Sequence, residues 1–242
     1  MPQARLAVLI DADNAQADLI AALLAEIAKL GVAHVKRIYG DWTKPHLAGW
    51  KEKLNEHAIQ PMQQFAYTTG KNSTDSALII DAMDLLYAGK FDGFCLVSSD
   101  SDFTRLAARL RESGMVVYGF GEKKTPRAMI AACDRFLYVE VLREALPAKA
   151  GVVAATTKKS KVDVNLLSLL RRAFDATADD SGHAQLSAMG SQISKLAPDF
   201  DSRNYGCKRL SDLVKQVDFY AVEERKGSDG KAVSHYVRIN RV

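Results

Sequence analysis

The sequence predicts an α/β fold, a mostly parallel sheet held between two helical layers, with a smaller α+β domain after it. Three observations carry this reading. Apolar runs of strand length alternate with amphipathic helical periods over residues 1–145. Two of the runs, Leu6–Ile10 and Phe94–Val97, are apolar without alternation, the pattern of parallel strands covered on both faces. From residue 162 onward the order changes to helices followed by two strand-like runs.

Taken in order, Leu6–Ile10 is the first strand and ends in Asp11-Ala12-Asp13-Asn14. A helix follows with Leu19, Ala22, Leu23, Ile27 and Leu30 on one face, and Gly31 stops it. His34–Tyr39 reads as the second strand, Gly40-Asp41-Trp42 as a turn, and Pro45–Glu56 as the second helix. Ile59–Phe65 is a third strand that Pro61 confines to an edge. The polar stretch Gly70–Ser76 enters a helix containing Leu78, Ile79, Ala82, Leu85 and Leu86, closed by Gly89. Asp75 falls in its first turn, while Asp81 and Asp84 lie round other faces. Phe94–Val97 then breaks into Ser98-Ser99-Asp100-Ser101-Asp102, and Phe103, Leu106, Ala107 and Leu110 mark the next helix. Met115–Phe120 is another buried strand. Thr125 and Pro126 open a short helix, and Phe136–Val141 is a final strand.

Residues 146–161 are small, basic and aperiodic, and read as a linker between domains at 1–145 and 162–242. Beyond it, helices at Val164–Phe174, Leu186–Ala197 and Arg209–Val217 precede strands at Phe219–Glu224 and Val233–Ile239 around a turn at Gly227–Gly230. That is the layout of a winged helix-turn-helix. Residues 1–146 hold 17 Lys and Arg against 18 Asp and Glu, a net of −1, whereas 147–242 hold 16 against 11, a net of +5. The basic second domain points to a polyanionic partner. No apolar run approaches the roughly 18–20 residues that span a bilayer, and no signal-peptide layout opens the chain. Cys95, Cys133 and Cys207 give neither a disulfide framework nor a zinc spacing. A cytoplasmic protein without membrane partners is expected.

The acidic residues stand at strand ends. In a doubly wound order the first and fourth strands are neighbours at the switch point. Asp11 and Asp13 then share a crevice with Asp100 and Asp102, and Asp75 belongs to a helix start nearby. Carboxylates that converge repel one another and have raised pKa values unless a cation neutralises them. Oxygen donors without a His or Cys set suit Mg²⁺ or Mn²⁺, and such a centre suits attack on a phosphodiester. Asn14 and Asp13 are placed to hold substrate, and Ser98 and Ser99 to orient a carboxylate. For Asp13 and Asp102 a helix-capping or supporting role stands equally beside the direct one. Lys71 reads either as a solvated loop lysine or as a phosphate contact, and so do Lys123 and Lys124. The five histidines show no ligand spacing.

Three segments carry a resemblance. Leu6-Ala7-Val8-Leu9-Ile10-Asp11-Ala12-Asp13-Asn14, Lys71 with Thr74-Asp75, and Val97-Ser98-Ser99-Asp100-Ser101-Asp102-Phe103 resemble the signature segments of NYN domains. These form the LabA-like branch of the PIN-like nuclease superfamily, and the likeness covers residues 4–142. It implies a Rossmann-like PIN-type three-layer sandwich and a metal-dependent endoribonuclease, with Asp11, Asp75, Asp100 and Asp102 as the acidic metal site and Asn14 beside it. PIN-like domains often pair, so a homodimer is a further expectation. Residues 162–240 resemble an OST-HTH (LOTUS) domain through the Leu-rich first helix, Leu186–Lys195, Pro198-Asp199-Phe200 and Tyr205-Gly206-Cys207-Lys208-Arg209-Leu210. That likeness implies binding of RNA, single-stranded or structured, with Lys208 and Arg209 as contacts. Two other readings stand beside the nuclease. One is an RNA- or protein-binding regulator with a silent nuclease fold. The other is a phosphohydrolase of the haloacid-dehalogenase type, because Asp11-Ala12-Asp13 mimics its nucleophile motif. Ala15 departs from that second pattern, which also leaves the second domain without a reason.

Overall fold

The computed structural model describes residues 3–65, 73–145, 164–226 and 233–240. Lys71, the linker expected at 146–161 and the turn expected at 227–230 lie outside the described residues. The chain divides into two compact units, Met1–Pro147 and Ala148–Val242.

In the first unit, six strands form one parallel sheet: β1 (Arg5–Asp11), β2 (Val32–Gly40), β3 (Gln60–Gln63), β4 (Gly93–Val97), β5 (Val116–Gly121) and β6 (Arg135–Tyr138). Their order is β3-β2-β1-β4-β5-β6, with β3 and β6 at the edges. The helices are α1 (Ile20–Ile27), α2 (Trp50–Glu56), α3 (Ser73–Tyr87), α4 (Thr104–Glu112), α5 (Arg127–Ala132) and α6 (Val139–Ala145). Side chains alternate across each strand, so β1 feeds two cores at once. Leu6, Val8 and Ile10 pack with residues of α1, α2 and α6, while Ala7 and Leu9 pack with residues of α3, α4 and α5. Such two-sided burial is why β1 and β4 are unbroken apolar runs. The result is the three-layer PIN-like sandwich.

The predicted final strand Phe136–Val141 is shorter than its apolar run. β6 ends at Tyr138, which pairs with Gly121, the last residue of β5, and no ladder partner remains beyond it. The chain turns directly into α6, where the consecutive residues Val141 and Leu142 are both buried. A half-covered edge strand would bury only alternate ones. The second predicted helix likewise starts as a 3₁₀ turn at Pro45–Leu47 before α2 proper.

The second unit holds α7 (Val164–Asp175), β7 (His183–Gln185), α8 (Leu186–Leu196), α9 (Leu210–Lys215), β8 (Tyr220–Lys226) and β9 (Val233–Ile239). Its sheet is antiparallel in the order β7-β9-β8. β7 was not expected, because three residues are too few to show a period. Leu166, Leu170, Phe174, Met189, Ile193, Leu213, Val214 and Val237 form its core. The Tyr205-Gly206 turn is a backbone device. Gly206 sits at φ 76° and closes a 3₁₀ turn at Ser202–Tyr205. All three cysteines are buried and free. No helix among the described residues is long and apolar enough to cross a membrane.

Close packing of α5 and β6 on β5 yields a stability test. A Cβ at Gly119 would stand 2.4 Å from Phe136 Cδ2 and 2.8 Å from Cys133 Sγ, whereas one at Gly49 meets nothing within 4 Å. Gly119→Ala should cost about 1–3 kcal/mol in urea unfolding, by overpacking. Gly49→Ala should leave the midpoint unchanged or slightly raised.

Candidate metal centre

β1 and β4 pair in parallel with Ile10 opposite Val97, so the chain leaves both strands at the same end of the sheet. Asp11 closes β1, and Ser98 to Asp102 follow β4. Short polar side chains lock both turns. Ser98 Oγ donates to Asp11 Oδ2 at 2.8 Å and accepts the Asp100 amide at 3.0 Å. Asp100 Oδ1 accepts the Asp102 amide at 2.9 Å, which makes Asp100 the N-cap of a 3₁₀ turn at Ser101–Phe103. Ser99 Oγ accepts the Glu122 amide at 2.8 Å and so fastens the exit of β5 to the same crevice. Asp11 is 1 % exposed. It also takes Asn14 Nδ2 at 2.7 Å and the Asp13 amide at 3.1 Å.

Asp75 reaches the centre from α3. That helix is anchored on β2 by Asp81, whose oxygens accept Arg37 Nη1 and the Tyr39 hydroxyl. Burial and the Asp81 charge push the Tyr39 hydroxyl pKa well up, so it stays a donor. Asp81 is therefore a structural acid, although it lies only six residues from Asp75.

Asp75, Asp100 and Asp102 converge. One carboxylate oxygen of each lies within 4.8 Å of the others. Asp75 and Asp100 are half-buried, and Asp102 is exposed. Asp11 is outside this trio, but its charge is felt there. The Asp75 pKa is pushed up to about 6, by burial first and then by Asp11, Asp100, Asp102 and Asp13. Asp11 is raised as well, because burial outweighs its bonds from Ser98, Asn14 and the Asp13 amide. Three hard oxygen donors at this spacing match the donor chemistry of Mg²⁺ or Mn²⁺.

The other expected residues fall in different places. Asn14 and Ser98 touch Asp11, and Ser99 touches the end of β5. Asp13 faces the rim, where its Oδ1 meets His46 Nε2 at 2.9 Å. His46 escaped the sequence reading, because the contact spans 33 residues and follows from the pairing of β1 with β2. Lys208 and Arg209 are exposed in the second unit, Arg209 at the N-cap of α9.

The raised acid gives a signed prediction. A carboxyl whose folded pKa exceeds its unfolded value destabilises the fold progressively as pH rises between the two. For Asp75 that window runs from about 3.8 to about 6. In metal-free buffer, Asp75→Asn should raise Tm by about 2 °C at pH 7. The gain should vanish toward pH 3.5 when Tm is followed by calorimetry.

A family profile described as NYN domain matches residues 5–140, and one described as OST-HTH/LOTUS domain matches residues 157–231. No curated protein matches the chain. Among solved structures, a protein of unknown function from Vibrio parahaemolyticus is similar at 18% identity and a TM-score of 0.47, over 55% of this chain and 91% of that one. An uncharacterized protein from Nitrosomonas europaea is 32% identical at a TM-score of 0.32, over 40% of this chain and 90% of that one. A segment of a Chromobacterium violaceum protein is 38% identical at a TM-score of 0.27, over 34% of this chain and 86% of that one. An NYN domain implies a nuclease-type fold, and an OST-HTH domain implies RNA binding. With its parallel six-stranded sheet and its acidic trio beyond β4, the chain belongs to the NYN-domain family and carries a C-terminal OST-HTH/LOTUS domain.

Proposed function

We propose that this protein is a metal-dependent endoribonuclease whose second unit binds the RNA. The observation that carries the reading is the meeting of Asp75, Asp100 and Asp102 at the carboxyl end of a nuclease-type sheet. These three would hold Mg²⁺ or Mn²⁺, which would supply stabilisation of the charge that builds on a phosphodiester during displacement. Asp11 belongs to the same acidic site: it fixes Ser98 and Asn14 and adds to the negative field at Asp75. Asp100 does two jobs, one oxygen capping the turn that presents Asp102. Asn14 and Asp13 border the substrate, and Ser98 and Ser99 hold the two turns that carry the acids. Lys71 is a phosphate contact in this reading, and Lys208 and Arg209 contact RNA in the second unit. A nucleophilic Asp11 of the phosphohydrolase kind fits poorly, since that side chain is 1 % exposed and has hydrogen bonds on both oxygens.

Cleavage of end-labelled RNA with Mn²⁺, Mg²⁺ or EDTA tests the proposal. Asp100→Asn should leave less than about one-hundredth of the wild-type rate. Ser98→Ala, which removes only an orienting hydroxyl, should cost about 10- to 100-fold. Metal-independent cutting, or an Asp100→Asn protein with full activity, would reject the centre.

RNA affinity provides a separate check on the second unit. The double variant Lys208→Ala with Arg209→Ala should weaken binding to all single-stranded sequences alike. The slope of log K against log salt should fall by about 1.4, or 0.7 for each phosphate left without its cation.

A further inference from the structure

We propose that the loop at residues 41–47, which follows β2, is the rail along which the RNA backbone leaves the metal centre, with Lys44 and His46 meeting its phosphates. The inference rests on the nuclease reading and gives the substrate strand a direction.

The sheet order offers two ways out of the crevice, past β2 or past β5. On the β5 side Lys124 Nζ lies 2.8 Å from Glu122, which also accepts Gln16 Nε2 at 3.2 Å. The Lys123 backbone amide, not its ammonium, donates to Glu140 at 3.0 Å. A polyanion gains little from a Lys124 that is already paired. On the β2 side Thr43, Lys44, Pro45 and His46 are exposed, and the loop's one acid, Asp41, is 7 % exposed. Asp41 Oδ1 is taken up within the structure by Thr43 Oγ at 2.6 Å and Gln63 Nε2 at 3.1 Å.

This loop is built rather than loose. Gln63 on the edge strand β3 also accepts the Trp42 amide at 3.0 Å, and Trp42 Nε1 donates to the Met62 carbonyl at 3.1 Å. Leu47 is buried in the core shared with Ala12. At Gly40, where the loop begins, a Cβ would stand 2.8 Å from Leu47 Cδ1 and 3.0 Å from Ala12 Cβ. The loop thus rests against the residue between Asp11 and Asp13. His46 completes the link, with Nε2 2.9 Å from Asp13 Oδ1 and a side chain still 57 % exposed. An exposed segment that carries the Lys44 ammonium and the His46 ring, fixed in advance at the rim of the centre, binds a phosphate backbone with little ordering cost. A hydrogen bond to Asp13 alone is the competing role for His46, and RNA binding separates the two.

The test uses the full chain and single-stranded RNA containing 4-thiouridine. Photo-cross-links formed in EDTA are mapped to peptides, and cleavage in Mn²⁺ is measured in parallel. Cross-links within residues 41–47 are expected. Lys44→Ala with His46→Ala should raise KM about tenfold with kcat within about twofold, the signature of reduced uniform binding. The salt slope of KM should fall by about 0.7, for the one phosphate left without the Lys44 cation, while Lys124→Ala moves neither quantity. Cross-links confined to other segments, with KM and slope unchanged in the Lys44/His46 variant, would overturn the rail. A protein that cuts nothing yet cross-links through 41–47 would defeat the nuclease reading and leave this RNA surface standing.

Discussion

The parallel pairing of β1 with β4 is the constraint on which the rest of the first unit depends. It places Asp11 and the turn at residues 98–102 at one end of the sheet, and the Ser98 hydroxyl then joins the two turns through a single side chain. Both strands are buried on both faces, so the register between them is set by packing that a loop alone would not provide. α3 completes the arrangement from the side, held on β2 by the contact of Asp81 with Arg37 and Tyr39. Acids that are distant in sequence are in this way delivered by rigid elements, and little conformational entropy remains to be lost when a ligand arrives.

The centre holds its carboxylates at an energetic cost. Burial and mutual repulsion raise Asp75 and Asp11, and the hydrogen bonds from Ser98, Asn14 and the Asp13 amide offset only part of this for Asp11. A cation bound at the trio would relieve that repulsion and so stabilise the folded chain. Asp81 shows the opposite use of the same residue type. With Arg37 beside it and Tyr39 donating to it, it is a structural pin. Environment, not residue identity, separates the two roles within one helix.

The two units divide the electrostatic work. The first has a net charge of −1 and gathers Asp11, Asp13, Asp75, Asp100 and Asp102 about one centre, and the portion from residue 147 onward carries +5. A polyanion is attracted to the second more than to the first. In the proposed nuclease, RNA binding by the OST-HTH domain would complement an acidic centre that by itself repels a polyanion.

The sequence by itself determined the strand-helix alternation, the two-sided burial of Leu6–Ile10 and Phe94–Val97, and the acidic turns after them. These are local patterns, written in hydrophobic period and in residues that terminate strands. Tertiary structure alone decided which acids meet. Asp75, Asp100 and Asp102 form the trio, the charge of Asp11 acts on Asp75, and Asp81 is held instead by Arg37 and Tyr39. It also decided that the run from Phe136 bends into α6 and that His46 reaches Asp13. Distances between side chains on separate elements depend on strand register and helix rotation, and no residue period within one segment encodes them.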